Sequence, residues 1–155
     1  MNQAAAAAIE APPGWRRIAF EGVTFNSTNG PFYARREAED LALGFRVQQR
    51  HCNPAGILHG GMMMTMADMT ASFGAALQSG IDKFMPTVSM SFDFVASGRV
   101  GDWVEGRCRL LKLTRSLAFT AVSLSVAGKP LLRASCVMKI PSGDAIRFDR
   151  SRLLD

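Results

Sequence analysis

The sequence predicts an α+β architecture in which an antiparallel sheet curls around one long helix. Three observations carry that prediction. About twenty residues from Gly60 onward are apolar on nearly every face, the mark of a helix covered all round. Four alternating segments follow with only short turns between them, and strands joined so tightly pair antiparallel. At 155 residues, 48% hydrophobic and 20% charged, the chain suits one globular domain over residues 1–155, with no repeat and no linker.

Taken in order, residues 1–14 lack a basic leader, carry Glu10 and reach Pro12 and Pro13 before any long apolar run. They do not read as a signal peptide; the Ala run reads as frayed helix or disordered chain, and residues 1–14 are expected to be disordered. Residues 15–25 read as a short helix or an arm, and residues 26–30 as a turn. Residues 32–37 read as an edge strand, with Glu39 and Asp40 turning the chain. Leu41, Leu43, Phe45 and Val47 alternate with smaller or polar neighbours, which predicts a strand with one buried face ending at Arg50 and His51. A turn with Asn53, Pro54 and Gly56 then leads through His59, Gly60 and Gly61 into the helix. After it, Val88, Met90, Phe92 and Phe94 alternate with Thr87, Ser89, Ser91 and Asp93. Residues 102–113, 117–127 and 131–140 read as three more strands, joined by turns at 114–116 and 128–130. The polar residues 141–155 are expected to form a loosely held tail.

A net charge of +5 and a pI near 9.6 point to an anionic partner. The Arg and Lys residues are scattered, and no nucleic-acid motif accompanies them, so a small phosphate-bearing ligand is favoured over a polynucleotide. Cys52, Cys108 and Cys136 show no CxxC or metal spacing; they read as free thiols, which implies a reducing cytoplasm. Asp68 interrupts the apolar stretch among Gly, Ser and Thr, which argues for a core helix rather than a membrane span. The chain carries no GxGxxG, Walker loop, HExxH or GxSxG.

Asp68 is the only charged side chain between Arg50 and Asp82. Burying an ionised carboxylate among Met, Ala and Phe costs several kcal/mol unless it is compensated, so Asp68 is either a functional acid or a satisfied structural carboxylate. The first amides of a helix have no partner within it, and Gly60 and Gly61 can present theirs to an anion or a developing oxyanion, or can serve close packing alone. Asp68 lies eight positions past Gly60, about 12 Å along the axis, so one helix cannot easily aim both at one small group. A second copy running antiparallel brings Asp68 of one subunit to Gly60 of the other, which predicts a two-fold dimer with shared sites. Asn53 before Pro54 reads as a turn residue and His59 as a site-lining or helix-starting one. The Met62, Met63, Met64, Met66 and Met69 group reads as adaptable core, and His51 and Thr65 as structural.

The segments HCNPAGILHGG, the helix with Asp68, PTVSMSFDFVASGRVGD and TRSLAFTAVSLSVAGKPLLRAS together resemble the hotdog-fold acyl-CoA thioesterases of the phenylacetate-degradation type, within the wider hydroxybenzoyl-CoA thioesterase superfamily. The likeness covers residues 41–140, with Asn53, Gly60 and Asp68 at the family's spacing. It implies an acyl-CoA thioesterase in which the Gly60 N–H polarises the thioester carbonyl, helped by Asn53 and His59. Asp68 of the neighbouring subunit would then act as base or nucleophile, and Thr87 would supply a hydroxyl that places the attacking water. Arg99, Lys112 and Arg115 become candidates for holding the coenzyme A phosphates, although singly each also reads as a solvated turn charge. The family implies no metal and no cofactor beyond the coenzyme A of the substrate. It also implies a homodimer that pairs into a homotetramer.

Two other readings stand beside hydrolysis. His59 with Asp68 also suits a hotdog hydratase or dehydratase acting on hydroxyacyl thioesters, and the fold is also used by non-catalytic acyl-CoA sensors. Phe73, Phe84 and Phe92 suit an aromatic or medium-length acyl group, and equally suit a core.

Overall fold

The computed structural model describes residues 10–38 and 40–147. Most of the Ala run, Glu39 and the end of the polar tail therefore lie outside the described residues. Strand β1 (Arg16–Arg17) and the short helix α1 (Phe25–Asn29) precede β2 (Tyr33–Glu37) and β3 (Asp40–Arg46). A 3-10 turn (Gln49–His51) leads towards the long helix α2 (Gly60–Ser79). Strands β4 (Thr87–Phe94), β5 (Trp103–Leu113), β6 (Leu117–Val126) and β7 (Lys129–Lys139) complete the chain.

All seven strands form one antiparallel sheet in the order β1-β2-β3-β5-β6-β7-β4. The sheet curls round α2, whose buried residues include Met62, Met66, Ala67, Ala71, Phe73 and Ala75. They meet Leu43, Phe45, Val104, Val122, Leu132 and Met138 from the sheet in one continuous core. Gly80 in the left-handed conformation, φ 71°, stops the helix. The β6–β7 hairpin turns through Ala127 and Gly128, both with positive φ, as a two-residue hairpin of matching twist requires.

Four expectations are corrected. Residues 26–30 do not form a turn, because Phe25–Asn29 is a helical turn fixed by a reciprocal capping box between Thr24 and Ser27. Asp40 is the first residue of β3 rather than part of a turn. Strand β3 is buried on both faces: Leu41, Leu43 and Phe45 face α2, and Trp15 and Trp103 cover Ala42 and Gly44. The chain also leaves β3 before Arg50 and His51, which sit in the 3-10 turn.

Candidate active site

Helix α2 is not wrapped all round. Gly61, Met64, Thr65 and Asp68, spaced three and four apart, form a stripe that the protomer leaves uncovered or half covered. Asp68 stands on that stripe half-buried, so the expectation of a buried acid is corrected: the carboxylate faces a cavity of about 670 Å³. Phe73, Phe84 and Phe92 line the same cavity, as do Met64 and Met90. Thr87 Oγ1 donates to Asp68 Oδ1 at 2.5 Å, the short length of a hydroxyl bonded to a carboxylate. The other carboxylate oxygen takes no hydrogen bond among the described residues.

Strand alternation alone puts Thr87 on the wrong face, with Ser89 and Ser91. The β4–β7 ladder slips between Thr87 and Ser89, so Thr87 stands opposite Met138 while Ser89 stands opposite Val137. Val88 is the extra residue of this bulge, and Thr87 joins Met90 and Phe92 on the helix side.

The second group of residues lies at the start of α2. His59 caps the helix, its Nδ1 accepting the Gly61 N–H at 2.8 Å, which leaves the ring proton on Nε2. The Gly61 amide is therefore occupied, contrary to the expectation of two open amides. The Gly60 N–H donates to nothing among the described residues. Asn53 Oδ1 accepts the N–H of Ala55 at 3.0 Å and of Ile57 at 3.4 Å, which leaves its amide nitrogen as the free end. Asn53 and Gly60 share a cavity of about 350 Å³ with Phe94 and Ser97. One chain thus holds two candidate groups, Asp68 with Thr87 and Asn53 with Gly60, in separate cavities.

The basic candidates divide in the same way. The Arg99 backbone bridges to Ile57, beside Asn53 and Gly60. Lys112 and Arg115 are exposed at the far end of β5 and in the β5–β6 turn, roughly 30 Å along the strand. Sequence reasoning missed Arg50 and Phe25. Arg50 donates to the Thr28 carbonyl at 2.5 Å and to the Gly30 carbonyl, holding the end of α1. Phe25 and Asn26 bring α1 to the wall of the Asp68 cavity. Among the described residues no three His, Cys, Asp or Glu side chains gather as a metal site would need, and no helix is long and apolar enough to cross a membrane.

Comparison with known proteins places the fold and the family. A profile of the thioesterase superfamily matches residues 55–131, from the Asn53 turn through α2 and β4 to β7. A Pseudomonas aeruginosa protein with a provisional esterase name is 34% identical over 113 residues, 72% of this chain and 84% of that one. The acyl-coenzyme A thioesterase 13 of Mus musculus is 27% identical over 115 residues, 73% of this chain and 74% of its own. A Streptococcus mutans structure with acetyl-CoA bound superposes with a TM-score of 0.68 at 19% identity, over 82% of this chain and 98% of that one. With its long helix inside a seven-stranded antiparallel sheet, the chain belongs to the thioesterase superfamily, as a hotdog-fold thioester hydrolase.

Proposed function

We propose that the protein hydrolyses acyl-coenzyme A thioesters at shared sites of a homodimer, with Asp68 of one protomer facing the partner's Gly60. The observation that carries this reading is the Thr87–Asp68 hydrogen bond inside an apolar cavity, which orients one carboxylate oxygen and leaves the other unengaged. The mouse relative's name and the acetyl-CoA in the Streptococcus mutans structure support coenzyme A thioesters as the substrate class. Strand β4 supports the dimer: among the described residues its outer edge has no partner strand, and Val88 and Phe94 are 60% and 51% exposed. Pairing into a tetramer is an extension of the same reading.

Thioester hydrolysis builds negative charge on the carbonyl oxygen, and the Gly60 N–H is fixed to receive it before the reaction begins. Losing one such donor costs about 10² to 10³ in rate. The free oxygen of Asp68 either takes a proton from the attacking water or attacks the carbonyl carbon itself, giving an anhydride that water then opens. In both routes the thiolate of coenzyme A leaves, so the chemistry calls for no metal and no further cofactor. The three phenylalanines lining the cavity support an aromatic or medium-length acyl group. Arg99, Lys112 and Arg115 are the proposed phosphate contacts, and the free thiols support a cytoplasmic setting. Dehydration fits less well, because His59 Nδ1 is engaged at the helix cap by the Gly61 N–H, which leaves the ring no free basic nitrogen. A sensor has no use for the Thr87–Asp68 pair.

Thiol release from a panel of acyl-CoA esters tests the reading. Asp68→Asn is expected to lower kcat by about 10² or more with the dimer intact. Gly60→Pro removes the N–H at a position where proline suits a helix start, since His59 already has ψ 135°. Gly60→Ala keeps that N–H and serves as the control. Mixing the Asp68→Asn and Gly60→Pro proteins is expected to restore about one quarter of wild-type activity, since half the dimers are then mixed and each regains one whole site. Full turnover by Asp68→Asn removes the acid from the mechanism, and no recovery on mixing removes the shared site.

A further inference from the structure

Helix α1 has no buried residue, so packing does not explain it. It is nevertheless tied at every turn. Thr24 and Ser27 cap each other, and Thr28 Oγ1 donates to the Thr24 carbonyl at 2.8 Å. Asn29 Nδ2 donates to the Phe25 carbonyl at 2.9 Å. Arg50, twenty-two residues from Thr28, reaches across to the carbonyls of Thr28 and Gly30 while its Nε donates to Gln48 Oε1. These bonds hold in place a phenylalanine that is 67% exposed. An aromatic ring left in water costs free energy unless something apolar comes to it.

Phe25 stands at two boundaries. It lines the cavity of Asp68 and Thr87, and it also lines a neighbouring cavity of about 310 Å³ with His59, Gly61 and Arg50. From the fixed α1 it contributes to the lining of the first cavity, together with Phe92 of β4 and Phe84 of the loop before it. We infer that Phe25 is the residue that limits the length of the acyl group, and that Arg50 is its positioning residue. The inference rests on the acyl thioester reading above and deepens it. The rest of the cavity lining comes from the core helix, from β4 and from the loop that joins them, where Met85 is fully buried. Phe25 instead sits on an element with no buried residue that is held by hydrogen bonds, so it is the wall that single substitutions can move.

The test is kcat/KM by thiol release across straight-chain acyl-CoA esters of two to sixteen carbons. For the wild type, each methylene that finds apolar cover is expected to raise kcat/KM by about fourfold until the chain meets Phe25, after which it falls. Phe25→Ala is expected to move the peak to chains at least two carbons longer, and Phe25→Trp to shorter ones. Arg50→Ala is expected to shift the peak in the Ala direction with a broader maximum, and Arg50→Lys to restore part of the wild-type profile. Light scattering on the same samples reports whether assembly changed. A peak at the same length in Phe25→Ala and Phe25→Trp overturns the inference for Phe25. An Arg50→Ala protein slowed equally at every length overturns the positioning role. Wild-type protein that releases no thiol from any ester overturns the thioesterase reading, and this one with it.

Discussion

His51 shows how a residue acquires its role from surroundings that the sequence does not display. It is 4% exposed, stacked edge-on against Phe45, and its Nδ1 accepts the Gln48 N–H at 3.1 Å. Burial, with the charge of Arg50 adding to it, lowers its pKa from 6.5 to about 4. The folded protein therefore holds His51 neutral while the unfolded chain takes up a proton below pH 6.5. Stability is fully present above that value and is lost as pH falls towards 4, by about 3 kcal/mol at most. Thermal melts between pH 7 and pH 4 are expected to show this decline, and His51→Asn, which keeps an acceptor near Nδ1, to flatten it. An equal decline in His51→Asn assigns the acid sensitivity to other groups, with Glu37 entering only at the acid end of that range. The hydrogen bond from Arg107 holds the Glu37 carboxylate at about 2, so its contribution is lost only between about 4.5 and 2. The sequence identified His51 as structural, and Asp68 as the residue to question, because type and isolation are visible in a string of letters. It did not show that Asp68 is half-exposed or that the Gly61 amide is used by His59, because both depend on which groups come to stand nearby.

At the scale of elements, those built from local pattern were legible and those held by distant contacts were not. Helix α2 announced itself by an apolar run between glycines, and β5, β6 and β7 by alternation with turn residues between them. Helix α1 did not, because Asn26-Ser27-Thr28-Asn29 reads as a turn until Arg50 arrives from beyond β3. The bulge at Val88 reversed the facing of Thr87, and nothing in the letters of β4 marks it. The double burial of β3 came from Trp15 and Trp103, which pack edge-to-face 5.1 Å apart over its outer side. Helix and sheet meet most closely at two glycines. A Cβ on Gly74 would lie 2.4 Å from Cys108 Cβ, and one on Gly106 would lie 2.4 Å from Thr70 Oγ1. Gly74→Ala is therefore expected to lift α2 from β5 at a cost of about 1–3 kcal/mol. Thermal denaturation would show a fall of about 2–9 °C, and kcat should fall as well, because Asp68 rides on the same helix. A melting temperature equal to the wild type's would show that the two elements part without cost.

For the molecule as a whole, α2 and the sheet arrange two candidate groups that one chain keeps apart, and the dimer is the proposed means of joining them. Separation was legible from the eight positions between Gly60 and Asp68; the strand that would join two copies was not, because an alternating strand looks the same in the middle of a sheet and at its edge. Met90→Pro, in the middle of β4, removes an N–H that points away from β7, since the Val95 N–H of opposite parity is the one that donates to the Leu131 carbonyl. It is expected to convert the dimer to monomer and to abolish thiol release together, as size-exclusion with light scattering and the thiol assay would show. Monomer with full activity would place the whole site in one chain.

The two ends of the sheet are unlike. At one end the two-residue β1 lies over Tyr33 and Ala34, and the rest of the β2 border carries Arg35, Arg36 and Glu37, charges that discourage a visiting strand. At the other, β4 offers eight residues with no strand beside them among the described residues. By strand addition the described residues have a valence of one, which is the valence the proposed dimer uses. Once two copies have joined there, neither has a free valence left, so growth by that route stops at a pair and cannot run on into a fibre.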